Sequence, residues 1–182
     1  MSTTLQVSQA QKVRMLIAHP VFTGLQLHEL DEIAQGCEVL RLDPGDRLFR
    51  QGDEGTDLFV VLNGRLRITC ASPDGVQVVV GVIEDNSLVG EMSALDPSPR
   101  SATAIAAMQT TVVRVPGEQF IEMVRQGRPA ARSLLRWIRG QICRRLRVLD
   151  ERIDAVFSPS QPTSGVSQAR NLWQASSGQE QP

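Results

Sequence analysis

Between Val39 and Val115 the chain is cut every few residues by stretches such as "DPGD", "QGDEGTD", "LNG", "SPDG" and "EDNS". These are the residues that turns require, and the runs between them are short and β-branched. Several short strands at near-regular spacing predict a small sandwich or barrel. Within it, "RLRITCASPDGVQVVVGVI" predicts a hairpin. Leu66 and Ile68 alternate with arginines on one arm, and "SPDG" supplies a proline and a glycine for the reversal. Gly45, Gly52, Gly55, Gly64 and Gly75 fall almost all in turns and read as architecture.

On either side the period changes to that of a helix. Residues 10–38 form a helical lead-in behind a flexible N-terminus at 1–9. Val13, Leu16 and Ile17 share a face, "HP" at His19 and Pro20 makes a break, and Leu27, Leu30, Ile33 and Ala34 resume the pattern. After the β segment at 39–115, helices are expected over 117–156. There Leu135, Ile138, Ile142, Leu146, Leu149, Ile153 and Val156 recur at steps of three and four. That stripe predicts a homodimer paired through the C-terminal helix, the alternative being a helix folded back on the β module. The same helix carries Arg132, Arg136, Arg139, Arg144, Arg145, Arg147 and Arg152. It reads as a solvated face, with nucleic acid as the rival, because groove recognition needs a docking motif as well as charge. Residues 157–182, rich in Ser, Gln, Pro and Gly, predict a disordered tail.

At 182 residues and a formal net charge of -1, the chain is one sensor-sized module with no bulk attraction for DNA. No apolar run approaches a membrane span and the polar start lacks a signal peptide's core, so a cytoplasmic location is expected. Cys37, Cys70 and Cys143 are far apart without C-x-x-C spacing, and His19 and His28 have no clustered partners. Neither a disulfide framework nor a metal site is indicated.

One stretch stands apart. In "LVGEMSALDPSPRSATA", residues 88–104, Glu91 follows a glycine, and Arg100 follows two prolines. A short helical turn starting near Gly90 would offer unpaired backbone N–H groups to an anion, and the planar guanidinium of Arg100 would add two aligned, charge-assisted hydrogen bonds to phosphate oxygens. Glu91 would repel phosphate and suits a sugar hydroxyl, so a nucleotide would satisfy both. A plain salt bridge between Glu91 and Arg100 across a loop is the competing reading of these two residues alone.

"VGEMSALDPSPRSATA" resembles the phosphate-binding cassette of the cyclic nucleotide-binding domain family, and "LDPGDRLFRQGDEGTDLFVVLNGRLRI" is similar to that family's opening β-roll. The likeness spans residues 10–156, as in the ligand-binding domains of cyclic AMP receptor proteins and protein kinase A regulatory subunits. It implies a mainly β fold with flanking helices: a β-roll or jelly-roll with N-terminal helices and a long C-terminal helix. It further implies that Glu91 contacts the ribose 2'-hydroxyl and Arg100 the cyclic phosphate. Gly90, Met92 and Ser93 would line the pocket, with Ser101 beside the phosphate or the base. Ser101 matches neither the alanine of one class nor the threonine common in cyclic GMP readers, so cyclic AMP is expected and cyclic GMP stays open. In the family the terminal helix caps the base, for which Trp137 or Arg136 is suited by stacking chemistry. Packing against the β module is the alternative for Trp137.

The cassette has no nucleophile and base pair, no metal ligand set and no cofactor motif, so the expected function is binding and not catalysis. The residues after the long helix are too few and too polar for a helix-turn-helix, so DNA is not an expected partner and an unidentified effector protein is. A scaffold with an empty β-roll pocket and a nucleic-acid binder using the arginine helix are the alternatives.

Overall fold

The computed structural model describes residues 2–72 and 74–157, so the tail expected to be disordered lies outside the described residues except for Phe157, which ends a helix. The chain divides into two compact units, Met1–Gln141 and Ile142–Pro182.

The first unit is built on two antiparallel sheets. Strands β1 (Thr3–Leu5), β2 (Glu38–Leu42), β9 (Thr110–Val115), β4 (Leu58–Asn63) and β7 (Ser87–Val89) form sheet A in that order. Strands β3 (Arg47–Phe49), β8 (Thr103–Ala106), β5 (Arg65–Ala71) and β6 (Gln77–Glu84) form sheet B. The predicted hairpin is β5–β6, with Leu66 opposite Ile83 and a bulge after Ile68. The fold is mainly antiparallel β with flanking helices, as expected. The turn at "DPGD" has the Asp46 N–H donating to the Asp43 carbonyl at 2.9 Å, with Gly45 at φ 90°. Proline second and a left-handed glycine third define a type II turn.

Side chains alternate across the sheets and close the core between them. Leu40, Leu42, Phe59, Val61, Val89 and Val112 of sheet A meet Leu66, Ile83 and Ala106 of sheet B. Sheet A is also closed on its other face, where Val39, Val113, Val60 and Leu88 lie in register across four strands and are fully or almost fully buried. A strand buried on both sides reads as a continuous apolar run, as "LFVV" in β4 does.

Helices supply the apolar surface that this outer face needs. The lead-in comprises α1 (Gln9–Ile17), a single 3-10 turn (Pro20–Phe22) and α2 (Leu27–Gln35), which bury Leu16, Phe22, Leu30 and Ile33. Ser8 and Gln11 form a capping box at the start of α1. Lys12 donates to the carbonyls of Ala34 and Cys37 at 3.2 and 2.8 Å, which satisfies the end of α2. The pair α1–α2 is therefore tied by a cation at a helix C-terminus, where the dipole favours positive charge.

Two expectations differ from the structure. Residues 1–9 were expected to be flexible, yet Thr3, Thr4 and Leu5 pair with Arg41, Leu40 and Val39, adding a strand to the edge of sheet A. The cause is the open edge of β2, which pairs any short extended segment brought to it. The helices expected over 117–156 are α3's successors α4 (Gly117–Arg125) and α5 (Pro129–Phe157), where α3 is the five-residue Glu91–Leu95. The buried face of α5 in the first unit runs through Ala130, Ala131, Leu134, Ile138 and Gln141, while Leu135 is only half-buried. Two small alanines let the helix approach closely and bring Leu134 inward, so this half packs back as the alternative reading had it. In the second unit the described residues are helical, and Leu146 and Val148 are about half-exposed.

Candidate functional site

The cassette forms where β7 ends. Gly90 sits at φ 85° and ψ 8°, the left-handed region, and caps α3. A side chain there would be strained by φ and obstructed by space, because an added Cβ would come within 2.7 Å of Arg100 Nη1 and 2.8 Å of the Asp57 carbonyl oxygen. Glycine is thus required twice over. Glu91 and Ser93 of α3 are buried, while Met92 is exposed.

Arg100 is the centre of this arrangement. Its side chain is 5% exposed, although it carries a full charge. Nη1 donates to the Gly90 carbonyl at 3.0 Å and Nη2 to the Asp57 carbonyl at 2.8 Å. The guanidinium lies over Phe49 at 4.7 Å from the ring centroid and beside Phe59 at 5.7 Å. Such stacking suits a planar, weakly hydrated cation. Burial lowers the Arg100 pKa, and the charges of Asp57, Asp53 and Glu91 oppose that shift. A guanidinium stays protonated through such a change. The site therefore holds a fixed positive charge in a dry setting, where its field is least screened.

The backbone holds Arg100 as firmly as the side chain does. Its N–H donates to the Asp53 carbonyl at 2.9 Å, and its carbonyl accepts from Gly52 N–H at 2.8 Å. Asp57 is fixed in turn: its carboxylate accepts from Gly117 N–H at 3.1 Å and lies 3.0 Å from Arg114 Nε, and Arg114 reaches Glu38 at 3.0 Å. Ser101 is exposed, and its hydroxyl donates to Met92 Sδ at 3.4 Å.

Gly90, Glu91 and Arg100 are thus brought together, with Ser93 buried farther along α3 and Met92 and Ser101 exposed and in contact with each other. Arg100 donates to two carbonyls, and Glu91 stands close enough for its charge to favour the guanidinium. The two residues suited to capping are not brought to this cluster. Trp137 is packed against His19 with ring centroids 6.0 Å apart, and Arg136 is exposed on α5. The reason is the face of α5 that packs inward, which turns Trp137 toward the lead-in. Phe49, Asp57 and Phe59, the floor and anchor of Arg100, were not singled out from the sequence. They lie roughly 40 to 50 residues away along the chain, and no local pattern links an aromatic strand residue to a distant arginine.

Among the described residues no group of His, Cys, Asp and Glu is arranged to hold a metal, and no helix is long and apolar enough to cross a membrane. Cys37 is buried, its thiol pushed up to about 12.

The family model for the cyclic nucleotide-binding domain matches residues 39–127, which include both sheets except β1 and the whole cassette. The Cyclic AMP receptor protein of Thermus thermophilus is 32% identical over 136 residues, covering 74% of this chain and 61% of that protein. The chain therefore spans less than two thirds of that relative's length. The N-terminal domain of a transcriptional regulator from Streptomyces coelicolor A3(2) is 30% identical, with 75% of this chain and 95% of that one covered and a TM-score of 0.56. A cyclic nucleotide-binding domain from Methylobacillus flagellatus covers 90% of this chain and 91% of its own at a TM-score of 0.68 and 16% identity, a likeness of fold. The glycine-capped turn, buried arginine and two-sheet roll of this chain agree with these matches, and the chain belongs to the cyclic nucleotide-binding domain family.

Proposed function

We propose that this chain is a cyclic nucleotide sensor, with cyclic AMP as its ligand. The observation that carries the reading is the buried Arg100 guanidinium, held on two carbonyls and two aromatic rings beside the glycine-capped start of α3. A guanidinium has five N–H groups. Two are used by Gly90 and Asp57, and the others suit the oxygens of a cyclic phosphate together with the first backbone N–H groups of α3. Glu91 then accepts from the ribose 2'-hydroxyl, Gly90, Met92 and Ser93 line the sugar-phosphate, and Ser101 stands at the rim beside phosphate or base. The module is regulatory and cytoplasmic and has no catalytic role. Ligand binding biases α5, which pairs with a second copy or an effector protein through its exposed apolar residues. A ligand moves such an equilibrium only by preferring one of its two states.

Calorimetric titration of the full chain with cyclic AMP and cyclic GMP tests this. Cyclic AMP is expected to bind more tightly, and Arg100→Ala to weaken it by at least 100-fold. Each charge-assisted bond lost is worth about 1.5–3 kcal/mol. A folded chain that binds neither nucleotide overturns the reading and favours a scaffold. At about 100 times its dissociation constant a ligand adds about 2.7 kcal/mol of stability, so a thermal scan makes the same distinction independently.

A further inference from the structure

Sheet B turns one face to the core and the other to solvent, and the solvent face carries cations without counter-ions. Arg47 on β3 is in register with Ile105 on β8, and Ile105 with Arg67 on β5. In-register neighbours point to the same side, so the two arginines flank Ile105 on the face opposite buried Ala104 and Ala106. Strands lie about 4.8 Å apart, which separates their Cα atoms by roughly 10 Å, a span two arginine side chains can close on one ligand. Arg50 stands at the end of β3. Among the described residues no ion pair engages Arg47, Arg50 or Arg67, whereas Arg65 is already matched by Glu84 at 2.9 Å.

Arg47 and Arg50 edge a concavity of about 480 Å³ lined also by Gln51, Ala71, Gln77, Thr103 and Ile105, and Arg67 stands outside this lining, one strand beyond Ile105. Its polar groups are donors. The Gln51 carbonyl oxygen accepts from the Ala71 N–H at 2.8 Å, which leaves its NH₂ end as the free group. Thr103 Oγ accepts from Gln51 N–H at 2.9 Å, so its own hydrogen remains to be given. The carboxylate of Asp53, close to Arg50 along the chain, already accepts from Arg50 N–H at 2.8 Å. Three guanidinium forks, an amide NH₂ and a hydroxyl offer more hydrogens than one carboxylate can accept, and the volume falls in the range of small-ligand sites.

We propose that this outer face of sheet B is a second anion site, separate from the cassette, that takes a small molecule carrying two linked phosphate groups. Arg47 and Arg67 clasp one phosphate each from either side of Ile105, and Arg50, Gln51 and Thr103 complete the donor set. A concave site on a chain of net charge -1 favours a compact ligand over a nucleic-acid backbone.

Titration of the full chain with pyrophosphate, beside inorganic phosphate and sulfate, is the test. Pyrophosphate is expected to bind at least tenfold more tightly than either single anion. The double variant Arg47→Gln/Arg67→Gln should lose at least tenfold in pyrophosphate affinity while leaving cyclic nucleotide binding unchanged. Both residues are exposed, and a thermal midpoint close to that of the parent establishes that the variant is folded. Should it fall short, Arg47→Lys/Arg67→Lys keeps the charge and is expected to lose affinity through the missing forks. Equal affinity for all three anions overturns the proposal, as does undiminished pyrophosphate binding in both double variants. Tighter binding of a polyglutamate peptide or a DNA duplex overturns it in favour of a macromolecular surface.

Discussion

Arg100 and Arg47 are the same residue in opposite circumstances. Arg100 is 5% exposed, fixed on two carbonyls and two aromatic rings, and supported by three carboxylates at a distance. Arg47 is solvent-exposed and has no partner among the described residues. The buried cation has paid its ordering cost during folding, so a ligand meets a preset group in a medium that barely screens it. The exposed one must be ordered by its ligand and is screened by salt. The difference teaches that burial and anchoring, more than charge, decide how much recognition an arginine can supply.

The sharpest way to break this comparison is to keep charge and remove geometry at both places. Arg100→Lys preserves the cation but loses the fork and the stack, and cyclic AMP affinity measured by calorimetry is expected to fall by at least tenfold, whereas Arg47→Lys should leave it untouched. Equal effects would show that the two sites are not distinct in kind. Next in size is Gly90→Ala, which adds a Cβ against Arg100 Nη1 and the Asp57 carbonyl at a left-handed position. Urea unfolding should show a loss of about 1–3 kcal/mol. A neutral result would mean that the Arg100 anchor is loose.

Burial also sets the behaviour of His19, which is 2% exposed and lowered by desolvation from 6.5 to about 4, against a smaller opposing contribution from the Val61 backbone. Between pH 6.5 and 4 the unfolded chain takes up a proton that the folded chain refuses, so the stability that burial of neutral His19 allows is complete above 6.5 and is lost as pH falls toward 4. Unfolding midpoints across this window should fall less steeply in His19→Gln than in the parent, and parallel slopes would contradict a buried neutral imidazole. The smallest effect belongs to the surface. Arg65 and Glu84 sit 2.9 Å apart with side chains 52% and 60% exposed, and a double-mutant cycle should return less than about 1 kcal/mol that fades with added salt.

What was legible in the sequence follows from how local each signal is. The turns at "DPGD" and "SPDG", the β5–β6 hairpin and the helical period of α1, α2 and α5 are written in neighbouring residues, and the structure has them where the pattern put them. Gly90, Glu91 and Arg100 were legible only through resemblance, since a bare Glu and Arg nine positions apart read more readily as a salt bridge. The aromatic floor at Phe49 and Phe59, the Asp57 carbonyl and the pairing of Thr3–Leu5 with β2 were not. Each depends on a strand finding a distant neighbour, and a three-residue strand has no period of its own to announce it. Trp137 was equally opaque, because whether an aromatic on a helix meets a purine or a histidine turns on one rotation about the helix axis.

The main chain of Arg100 is bonded in both directions to the bend that carries Arg50 and Gln51: its N–H to Asp53, its carbonyl to Gly52. That rivet gives the interior cation and the outer basin a common hinge. An occupant that moves residue 100 pulls on this bend through those two bonds, and by thermodynamic reciprocity any free energy that couples interior to basin has the same size read from either side.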